Sequence, residues 1–312
     1  MNEKELIDRY FKNHTNKSVC VGIGDDAAVL NVSKDHQLVV STDSMVEGKH
    51  FFKTTPPYYL GYKLMAVNLS DIAAMSAVPK WVSLNLTLPF IDESWLNEFS
   101  KGFNECAQQF NVALIGGDLT AGTELNVAAQ ILAEVPKNQA VLRSNAQVGD
   151  LIFVTGEIGS AGNVIHHLLV NNYDHSLLDD DQIKTLYQPE PRVALSLDLR
   201  TIMTAAIDIS DGLLHEAELL CQESHVGAEI NIESIPVDKN DDQLKSITVG
   251  DDYELLFTAD EKFKDKIEHL AQQHMCLISQ IGKINKNTGK VELLNHGQPI
   301  SKPAITGYEH FA

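Results

Sequence analysis

The chain has 312 residues, of which 44% are hydrophobic, and it carries a formal net charge of −19 at pH 7. This length exceeds what one hydrophobic core usually supports, so two domains are expected, and the apolar content excludes long disordered segments. The acidic charge argues against nucleic acid or an anionic membrane surface as a partner and favours metal cations.

The cysteines and the N-terminal run indicate a soluble, cytoplasmic protein. The four cysteines lie far apart and form no C-x-x-C pair, so neither a zinc knuckle nor a redox pair is predicted. The N-terminal run MNEKELIDRYF is charged and predicts a short amphipathic helix. No apolar run approaches the ~18 residues that a membrane-spanning helix needs, so no membrane association is expected.

The first part of the chain alternates predicted strands and helices. Strands are expected at SVCVGIG, AAVLNV and QLVVSTD, where apolar runs are separated by turn residues. The run PPYYLGYKLMAVNLSDIAAMSA begins with prolines and has helical spacing, so it predicts a long helix that carries Asp71. WVSLNLTLP alternates like a half-buried strand, and DESWLNEFSKGFNECAQQF predicts a helix. VALIGGD predicts a strand that ends in a glycine turn, and LNVAAQILAEV predicts a further strand.

A polar segment from Pro136 to Asp150 is the predicted boundary between the two domains. After it, the strand DLIFVTG runs into the glycine-rich helix start EIGSAGNVIHHLL. A helix from Pro191, the stretch AIDISDGLLHEAELL, strands at AEINIE and YELLFTAD, and a run of short C-terminal strands follow. This alternation predicts mixed α/β structure in both halves, without a clean internal repeat.

Aspartates recur beside glycine, serine or threonine where apolar strands are predicted to end. They are Asp25, Asp26, Asp43, Asp118, Asp208, Asp211, Asp251 and Asp252, and Asp71 adds one from an apolar helix. Each of them alone is most often a turn residue or a helix N-cap, and that alternative stays open. As a set they are expected to converge in one cleft, where their like charges require cations. Oxygen ligands without a histidine cluster suit magnesium better than zinc.

Bound magnesium usually accompanies phosphate, but the sequence contains neither a G-x-x-x-x-G-K-[ST] loop nor the protein-kinase signature set. The loop TGEIGSAG either presents amides at a helix start or is only a tight turn. Arg143 is either a direct phosphate contact or part of a surface ion pair. His50 is either a site residue that follows Asp43 or a half-exposed turn histidine.

Six motifs in order carry a resemblance to a known family. GIGDDAAVL, STDSMVEGKHF, AVNLSDIAAM, LIGGDLT, DISDGL and GDDYELLF closely resemble the thiamine-monophosphate kinases, and the match continues to the final GYEHF. The resemblance implies an α/β (α+β) fold similar to aminoimidazole ribonucleotide synthetase and selenophosphate synthetase, with mixed sheets flanked by helices. It also implies an N-terminal α/β domain over residues 1–136, with the metal and ATP cleft and the dimerisation sheet, and a C-terminal α/β domain over residues 137–312.

The implied reaction transfers the γ-phosphoryl group of ATP to the phosphate of thiamine monophosphate, giving thiamine diphosphate and ADP, in a homodimer that uses several Mg²⁺ ions. The implied metal ligands are Asp26, Ser41, Thr42, Asp43, Asp71, Asp118, Asp208 and Asp211. Among these, Asp118, Asp208 and Asp211 are the implied catalytic carboxylates. The resemblance places Gly117, Asp118, Arg143 and Ser210 at the nucleotide. It places His50, Asp251 and Tyr308 at the thiamine substrate.

The sequence departs from the family pattern at three places. Leu119 stands where the family usually has a second threonine, Ser76 where it has glycine, and VGDD where it has GGED. Asp251 in VGDD keeps the charge of the usual glutamate but is shorter by one methylene. Two other functions remain open: another superfamily member that acts on an amidine or selenide, and a scaffold that binds divalent cations without turnover.

Overall fold

The computed structural model describes residues 3–12, 16–239 and 241–308. The start of the predicted N-terminal helix, residues 1–2, and the end of the GYEHF motif, residues 309–311, lie outside the described residues, as does residue 312. The strands are β1 (Val19–Val21), β2 (Val29–Leu30), β3 (His36–Val46), β4 (Val78–Leu88), β5 (Ala113–Ala121), β6 (Asn126–Pro136), β7 (Leu151–Thr155), β8 (Met203–Asp208), β9 (Gly227–Asn231), β10 (Leu255–Ala259), β11 (Ile278–Asn285), β12 (Val291–Asn295) and β13 (Gln298–Ile300). The α-helices are α1 (Glu3–Tyr10), α2 (Pro57–Ala74), α3 (Glu93–Gln109), α4 (Ser160–Val170), α5 (Asp180–Tyr187), α6 (Val193–Leu199), α7 (Leu213–Glu223), α8 (Gln243–Ser246) and α9 (Lys264–Gln273).

The first half of the chain forms a four-stranded sheet in the order β3-β6-β4-β5. β6 is antiparallel to both of its neighbours, whereas β4 and β5 are parallel and are connected through α3. Helix α3 begins after Asp92, whose side chain accepts hydrogen bonds from the N–H groups of Ser94 and Trp95. The acidic start that the sequence predicts for this helix is therefore a satisfied N-cap.

The second half forms a seven-stranded sheet in the order β13-β12-β9-β11-β7-β10-β8. All pairs are antiparallel except the parallel pair β12 and β9. β7 and β10 are buried at every position, which explains why their sequences are continuous apolar runs without alternation. Both halves therefore have the mixed sheets and flanking helices that the sequence predicts.

Helix α2 joins the two halves. It has 18 residues, of which 14 are buried, so its apolar pattern extends around the whole helix. It packs against α3, β3 and β6 from the first half and against α6 and β8 from the second half. Glycine permits its close crossing with α3, because a Cβ on Gly61 would lie 2.1 Å from the carbonyl oxygen of Phe99. One cluster of buried apolar side chains consequently runs through both halves.

Two local predictions are wrong. The sequence predicts that β5 ends at a glycine turn, but the strand continues through Gly116, Gly117 and Asp118 to Ala121 and stays paired with β4. The sequence also predicts Asp43 at a strand end, but Asp43 lies within β3, opposite Ala129 of β6. In both places, pairing with a neighbouring strand outweighs the turn propensity of glycine and aspartate.

Within the described residues, no helix has both the length and the hydropathy needed to cross a membrane.

Candidate active site

Four of the predicted metal ligands meet where the two halves join: Ser41 and Asp43 on β3, Asp71 on α2 and Asp208 at the end of β8. After burial, the negative charges of Asp71 and Asp43 both raise the pKa of Asp208, which shows that the three carboxylates are neighbours. The Ser41 hydroxyl donates a hydrogen bond to Asp71, and the Ser70 hydroxyl donates one to Asp208 at 2.8 Å. We call Asp43, Asp71 and Asp208 the carboxylate cluster.

Burial and mutual repulsion raise the pKa values of the carboxylate cluster. Burial, followed by the charge of Asp71 and a hydrogen bond with it, raises the pKa of Asp43 from 3.8 to about 7. Burial raises the pKa of Asp71, although the Ser41 hydroxyl and the charge of Arg143 oppose this shift. Burial and then the charge of Asp71 raise the pKa of Asp208 well above its ordinary value. A cation would relieve this repulsion, so the oxygen donors fit magnesium by their chemistry.

The carboxylate cluster is not arranged as a finished metal site. In the part of the chain that the structure describes, no three His, Cys, Asp or Glu side chains are grouped so that they could hold a metal ion. Instead, the hydroxyl groups of Ser41 and Ser70 donate hydrogen bonds to carboxylate oxygens of the carboxylate cluster. Binding a cation here therefore requires these side chains to rearrange.

The N-terminal sheet separates two other predicted ligands from the carboxylate cluster. Asp118 of β5 is paired with Asn85 of β4, and this row of paired residues continues through β6 to Ser44 of β3. Asp118 and Ser44 therefore lie on the same face of the sheet. Side chains alternate between the faces of a strand, so Thr42 and Asp118 lie on the face opposite to Asp43. The structure therefore does not bring the side chains of Thr42 and Asp118 to the carboxylate cluster.

Asp26 and Asp118 line a separate cavity of about 820 Å³ beside β5, the edge strand of the sheet. We call it the edge cavity. Gly117, predicted at the nucleotide, and Lys12 also line it. Asp26 is exposed, and its N–H group donates to the carboxylate of Asp25 at 2.9 Å. Of the implied metal ligands, Asp26 and Asp118 thus lie at the edge cavity and not in the carboxylate cluster.

Ser210 and Asp211, which follow β8, are held by a buried glutamate that the sequence analysis does not single out. The Ser210 hydroxyl and the Asp211 N–H group both donate to Glu216 Oε1 at 3.3 Å. Burial raises the pKa of Glu216, although the hydrogen bond from the Asp211 backbone and the charge of Arg143 lower it. Arg143 is exposed, and its positive charge opposes the rise in pKa of both Asp71 and Glu216, so it is close enough to act on the carboxylate cluster and on the Ser210–Asp211 turn.

The segment Gly250–Tyr253 packs tightly against the Ser210–Asp211 turn. A Cβ on Gly250 would lie 2.1 Å from the Ser210 carbonyl oxygen, and the Asp251 N–H group donates to that oxygen at 2.7 Å. Asp251 and Tyr253 have positive φ angles of 76° and 52°. Aspartate adopts this conformation more readily than tyrosine, and such strained positions cluster at functional sites.

Asp251 and His50 line a cavity of about 240 Å³ beside α2. Phe52 and Tyr187 give it aromatic walls, so we call it the aromatic cavity. Lys63 of α2 also lines it and forms an ion pair with Asp251, in which the Lys63 side chain is only 4% exposed. The aromatic cavity therefore combines apolar walls with a buried donor and acceptor, as small-molecule sites do.

Two of the three predicted thiamine-site residues, His50 and Asp251, line the aromatic cavity, whereas Tyr308 is not among its lining residues. His50 Nδ1 accepts a hydrogen bond from the Val46 N–H group at 3.0 Å, which fixes its ring at the cavity wall. Tyr308 donates its N–H group to the Asp211 carbonyl oxygen at 3.0 Å, and the residue is 46% exposed. Tyr308 is thus placed next to the Ser210–Asp211 turn.

The loop TGEIGSAG is explained by a buried carboxylate. Asp252 accepts hydrogen bonds from the N–H groups of Gly159, at 2.8 Å, and Ala161. Because α4 begins at Ser160, Asp252 lies at the N-terminus of that helix, where the dipole favours an anion. Of the two alternatives for this loop, the structure supports the structural turn, since both amides already have an acceptor.

Lys63, Glu216 and Tyr253 belong to the site but are not among the site residues predicted from the sequence. Lys63 carries a readable signal, because Lys63 and Asp71 are the charged residues of α2 and both lie at the site. A charge within an apolar helix indicates a buried partner. Glu216 and Tyr253 carry no such signal, since an acidic residue on a helix and a tyrosine before a strand are common surface and core residues.

Comparisons with known proteins support this fold. Family models of AIR synthase related proteins match residues 24–135 as the N-terminal domain and residues 147–294 as the C-terminal domain. The thiamine-monophosphate kinase of Haemophilus influenzae is 37% identical, over 100% of this chain and 98% of its own length. The crystal structure of thiamine-monophosphate kinase from Stenotrophomonas maltophilia has a TM-score of 0.84 and 35% identity, over 91% of this chain and 93% of that chain. The structure of AaThiL complexed with AMPPCP and TMP has a TM-score of 0.77 and 26% identity, over 100% and 99% of the two chains.

Proposed function

Because the chain belongs to the thiamine-monophosphate kinase family, we propose that it transfers the γ-phosphoryl group of ATP to the phosphate of thiamine monophosphate. The products are thiamine diphosphate and ADP. The named relatives match along the whole chain, and AaThiL was solved with AMPPCP, an ATP analogue, together with TMP. The enzyme is thus a phosphotransferase with a phosphate group as acceptor.

The observation that carries this proposal is the position of the carboxylate cluster beside the aromatic cavity. Tyr253 is close to both: its ring centroid lies 5.9 Å from Nζ of Lys63, which lines the aromatic cavity. Burial raises the pKa of Tyr253 well above its ordinary value, and the charges of Asp251, Asp43 and Asp208 add to the shift. A substrate with its ring in the aromatic cavity would therefore extend its phosphate towards the carboxylate cluster.

The reaction requires positioning, and it requires no general base. The acceptor phosphate is already an anionic nucleophile, so the main obstacle is repulsion between two polyanions. Magnesium ions, when bound, supply the positive charge that offsets this repulsion. We propose that Asp43, Asp71 and Asp208 hold these ions and that Ser41 contributes its hydroxyl. No nucleophilic serine or cysteine is needed, since the protein contributes orientation and electrostatics.

The other predicted residues are assigned by where they lie. We propose that Ser210, Asp211 and Arg143 face the phosphates of ATP, with Arg143 as a direct phosphate contact. Gly117, Asp118 and Asp26 would serve the nucleotide and its metal from the edge cavity, and Thr42 would contribute through its backbone. His50 and Asp251 would contact the thiamine moiety, with Tyr308 at the margin of this site. Asp118, Asp208 and Asp211 remain the proposed catalytic carboxylates.

We further propose a cytoplasmic homodimer with domains at residues 1–136 and 137–312. β1 and β2 cover the outer face of the N-terminal sheet at Trp81 and Ala113. The same face carries exposed apolar side chains at Leu38 and Val40, which supports pairing with a second copy. The cysteines are free, which suits a reducing compartment. β6 ends at Pro136 and β7 begins at Leu151, which supports a domain boundary in the intervening segment.

A direct assay tests the proposal: protein, ATP and magnesium are mixed with either thiamine monophosphate or unphosphorylated thiamine. We expect magnesium-dependent formation of thiamine diphosphate and ADP from the monophosphate, because the acceptor phosphate is the group that the site positions. Free thiamine should be a poor acceptor, by about 100-fold or more in kcat/KM, since it lacks the group that makes the transition-state contacts. Equal turnover of free thiamine would contradict the proposal, and magnesium binding without any ATP turnover would favour a cation-binding scaffold.

A further inference from the structure

We propose that the ion pair of Lys63 and Asp251 recognises the hydrogen-bonding edge of the aminopyrimidine ring and so determines the specificity of the acceptor site. The inference rests on the proposed function and deepens it, since it names the part of the substrate that the aromatic cavity holds. It assigns Lys63 a role as a specificity-determining residue.

The ion pair places unlike hydrogen-bonding groups side by side at the aromatic cavity. The side chains of Lys63 and Asp251 are 4% and 22% exposed, so most of the pair is withdrawn from water. Lysine has three N–H donors and no acceptor, whereas an ionised aspartate only accepts. After the pair has formed, each partner retains hydrogen-bonding capacity for a ligand. A buried ion pair adds little net stability, which leaves specificity as a reason for it.

An aminopyrimidine matches this arrangement. Its exocyclic amino group is a donor, and the neighbouring ring nitrogen is an acceptor on the same edge. The amino group would donate to Asp251, and Lys63 would donate to the ring nitrogen. The aromatic side chains of Phe52 and Tyr187 line the same cavity of about 240 Å³, which suits a flat heteroaromatic ring.

Charge determines which end of the substrate enters the aromatic cavity. Lys63 Nζ lies 5.9 Å from the ring centroids of both Tyr187 and Tyr253, so a cation already occupies the faces of these two rings. Because Lys63 and Asp251 together carry no net charge, they offer no net attraction to the positively charged thiazolium ring, whereas the neutral pyrimidine edge matches their donor and acceptor. The carboxylate cluster, in contrast, attracts the thiazolium side.

Helix geometry agrees with this orientation. Lys63 and Asp71 are eight residues apart on α2, which corresponds to about 12 Å along the helix axis. With the pyrimidine at Lys63, the thiazolium ring and its ethyl phosphate arm extend along α2 towards Asp71. The phosphate then lies at the carboxylate cluster, where the reaction requires it.

The test compares thiamine monophosphate with oxythiamine monophosphate, in which an oxo group replaces the amino group. The edge of the analogue then has an acceptor facing Asp251 and a ring N–H donor facing Lys63, so both contacts become unfavourable. We expect wild-type kcat/KM to favour thiamine monophosphate by about 10- to 100-fold. In Lys63→Met the preference should shrink to about threefold or less, while the KM for ATP stays within about twofold of wild type.

Two further variants make the test decisive. Lys49→Met removes the exposed lysine that also lines the aromatic cavity, and it should keep the wild-type preference whatever its KM. Asp251→Asn keeps the size of the side chain, tolerates the positive φ and presents both a donor and an acceptor, so it should lower the preference as Lys63→Met does. If Lys63→Met does not fold, the acceptor preference of Asp251→Asn tests the inference by itself.

A wild-type preference retained by both folded variants, as judged by thermal melting, would overturn the inference and leave the proposed kinase function intact. Absence of phosphorylation of either acceptor by wild-type protein would instead contradict the proposed function. Calorimetric binding of the two monophosphates to wild type and to Lys63→Met would then still measure whether the ion pair recognises the ring.

Discussion

Asp71 is a carboxylate on an apolar helix, and its charge raises the pKa values of both Asp43 and Asp208. In the metal-free protein the Asp71 carboxylate lowers the stability of the fold in two ways, through its desolvation and through repulsion by the neighbouring carboxylates. Asp71→Asn keeps the shape, removes one charge and leaves an amide oxygen for the Ser41 hydroxyl. We expect kcat/KM to fall about 100-fold or more, because a ligand to the metal ions is lost. The metal-free variant should melt at the same temperature as wild type or higher.

Thermal melts give the Tm of Asp71→Asn and of wild type, both in chelator and in magnesium with AMPPCP, and so show whether Asp71 lowers stability while it supports metal binding. Magnesium with nucleotide should raise the Tm of wild type more than that of the variant, since a ligand stabilises only through its affinity for the folded state. Asp198→Asn is the control: it removes an exposed carboxylate that contacts His274 and should change little in either condition. A clearly lower Tm for metal-free Asp71→Asn would show that Asp71 is a structural acceptor.

Within β5, the adjacent glycines Gly116 and Gly117 should differ sharply in their tolerance of alanine. Gly117 has a φ of 152°, and a Cβ there would lie 1.7 Å from the Leu84 carbonyl oxygen of β4, whereas a Cβ on Gly116 would meet nothing within 4 Å. We expect Gly117→Ala to lower the free energy of unfolding by about 2–3 kcal/mol, because β4 and β5 must separate. Gly116→Ala should change it by less than about 1 kcal/mol. Urea unfolding measures both, and equal effects would contradict the backbone geometry of β5.

Regular burial patterns of single helices and strands can be predicted from the sequence, whereas the pairing of these glycines cannot. Helix α3 and strand β4 are predicted correctly because their burial follows a regular period that the sequence displays. β5 is mispredicted at Gly116–Asp118 because its pairing with β4 depends on residues about 30 positions away. The separation of Asp118 from Asp43 follows from strand register, which no single run of sequence reveals.

At the scale of the whole molecule, the sequence predicts two mixed α/β halves and the family, whereas the junction between the halves needs the structure. An apolar helix such as α2 is predicted to be buried, but its pattern does not indicate which elements cover it. The pairing of Lys63 with Asp251, 188 residues apart, follows from that packing. The motifs therefore predict Asp251 at the site, and only the packing of α2 adds Lys63.

The outer face of the N-terminal sheet is where assembly of the molecule can be tested. Val40 lies on this face of the edge strand β3 and is 52% exposed, and Leu38 beside it is 41% exposed. If a second copy covers this face, Val40→Asp would bury a charge without a partner, at a cost of about 3–5 kcal/mol. That cost should raise the Kd of the dimer by about 100-fold or more. Sedimentation equilibrium should then find dimers for wild type and monomers for Val40→Asp at the same micromolar concentration.

The matched control for Val40→Asp is Val148→Asp, which adds the same charge at a 61% exposed valine in the segment before β7. It should remain dimeric, because that segment lies outside the N-terminal sheet and a surface charge alone changes stability little. Circular dichroism of both variants should match wild type, since both side chains are already exposed in the single chain. Equal masses for wild type and Val40→Asp, whether monomer or dimer, would show that the outer face of the N-terminal sheet does not form the interface.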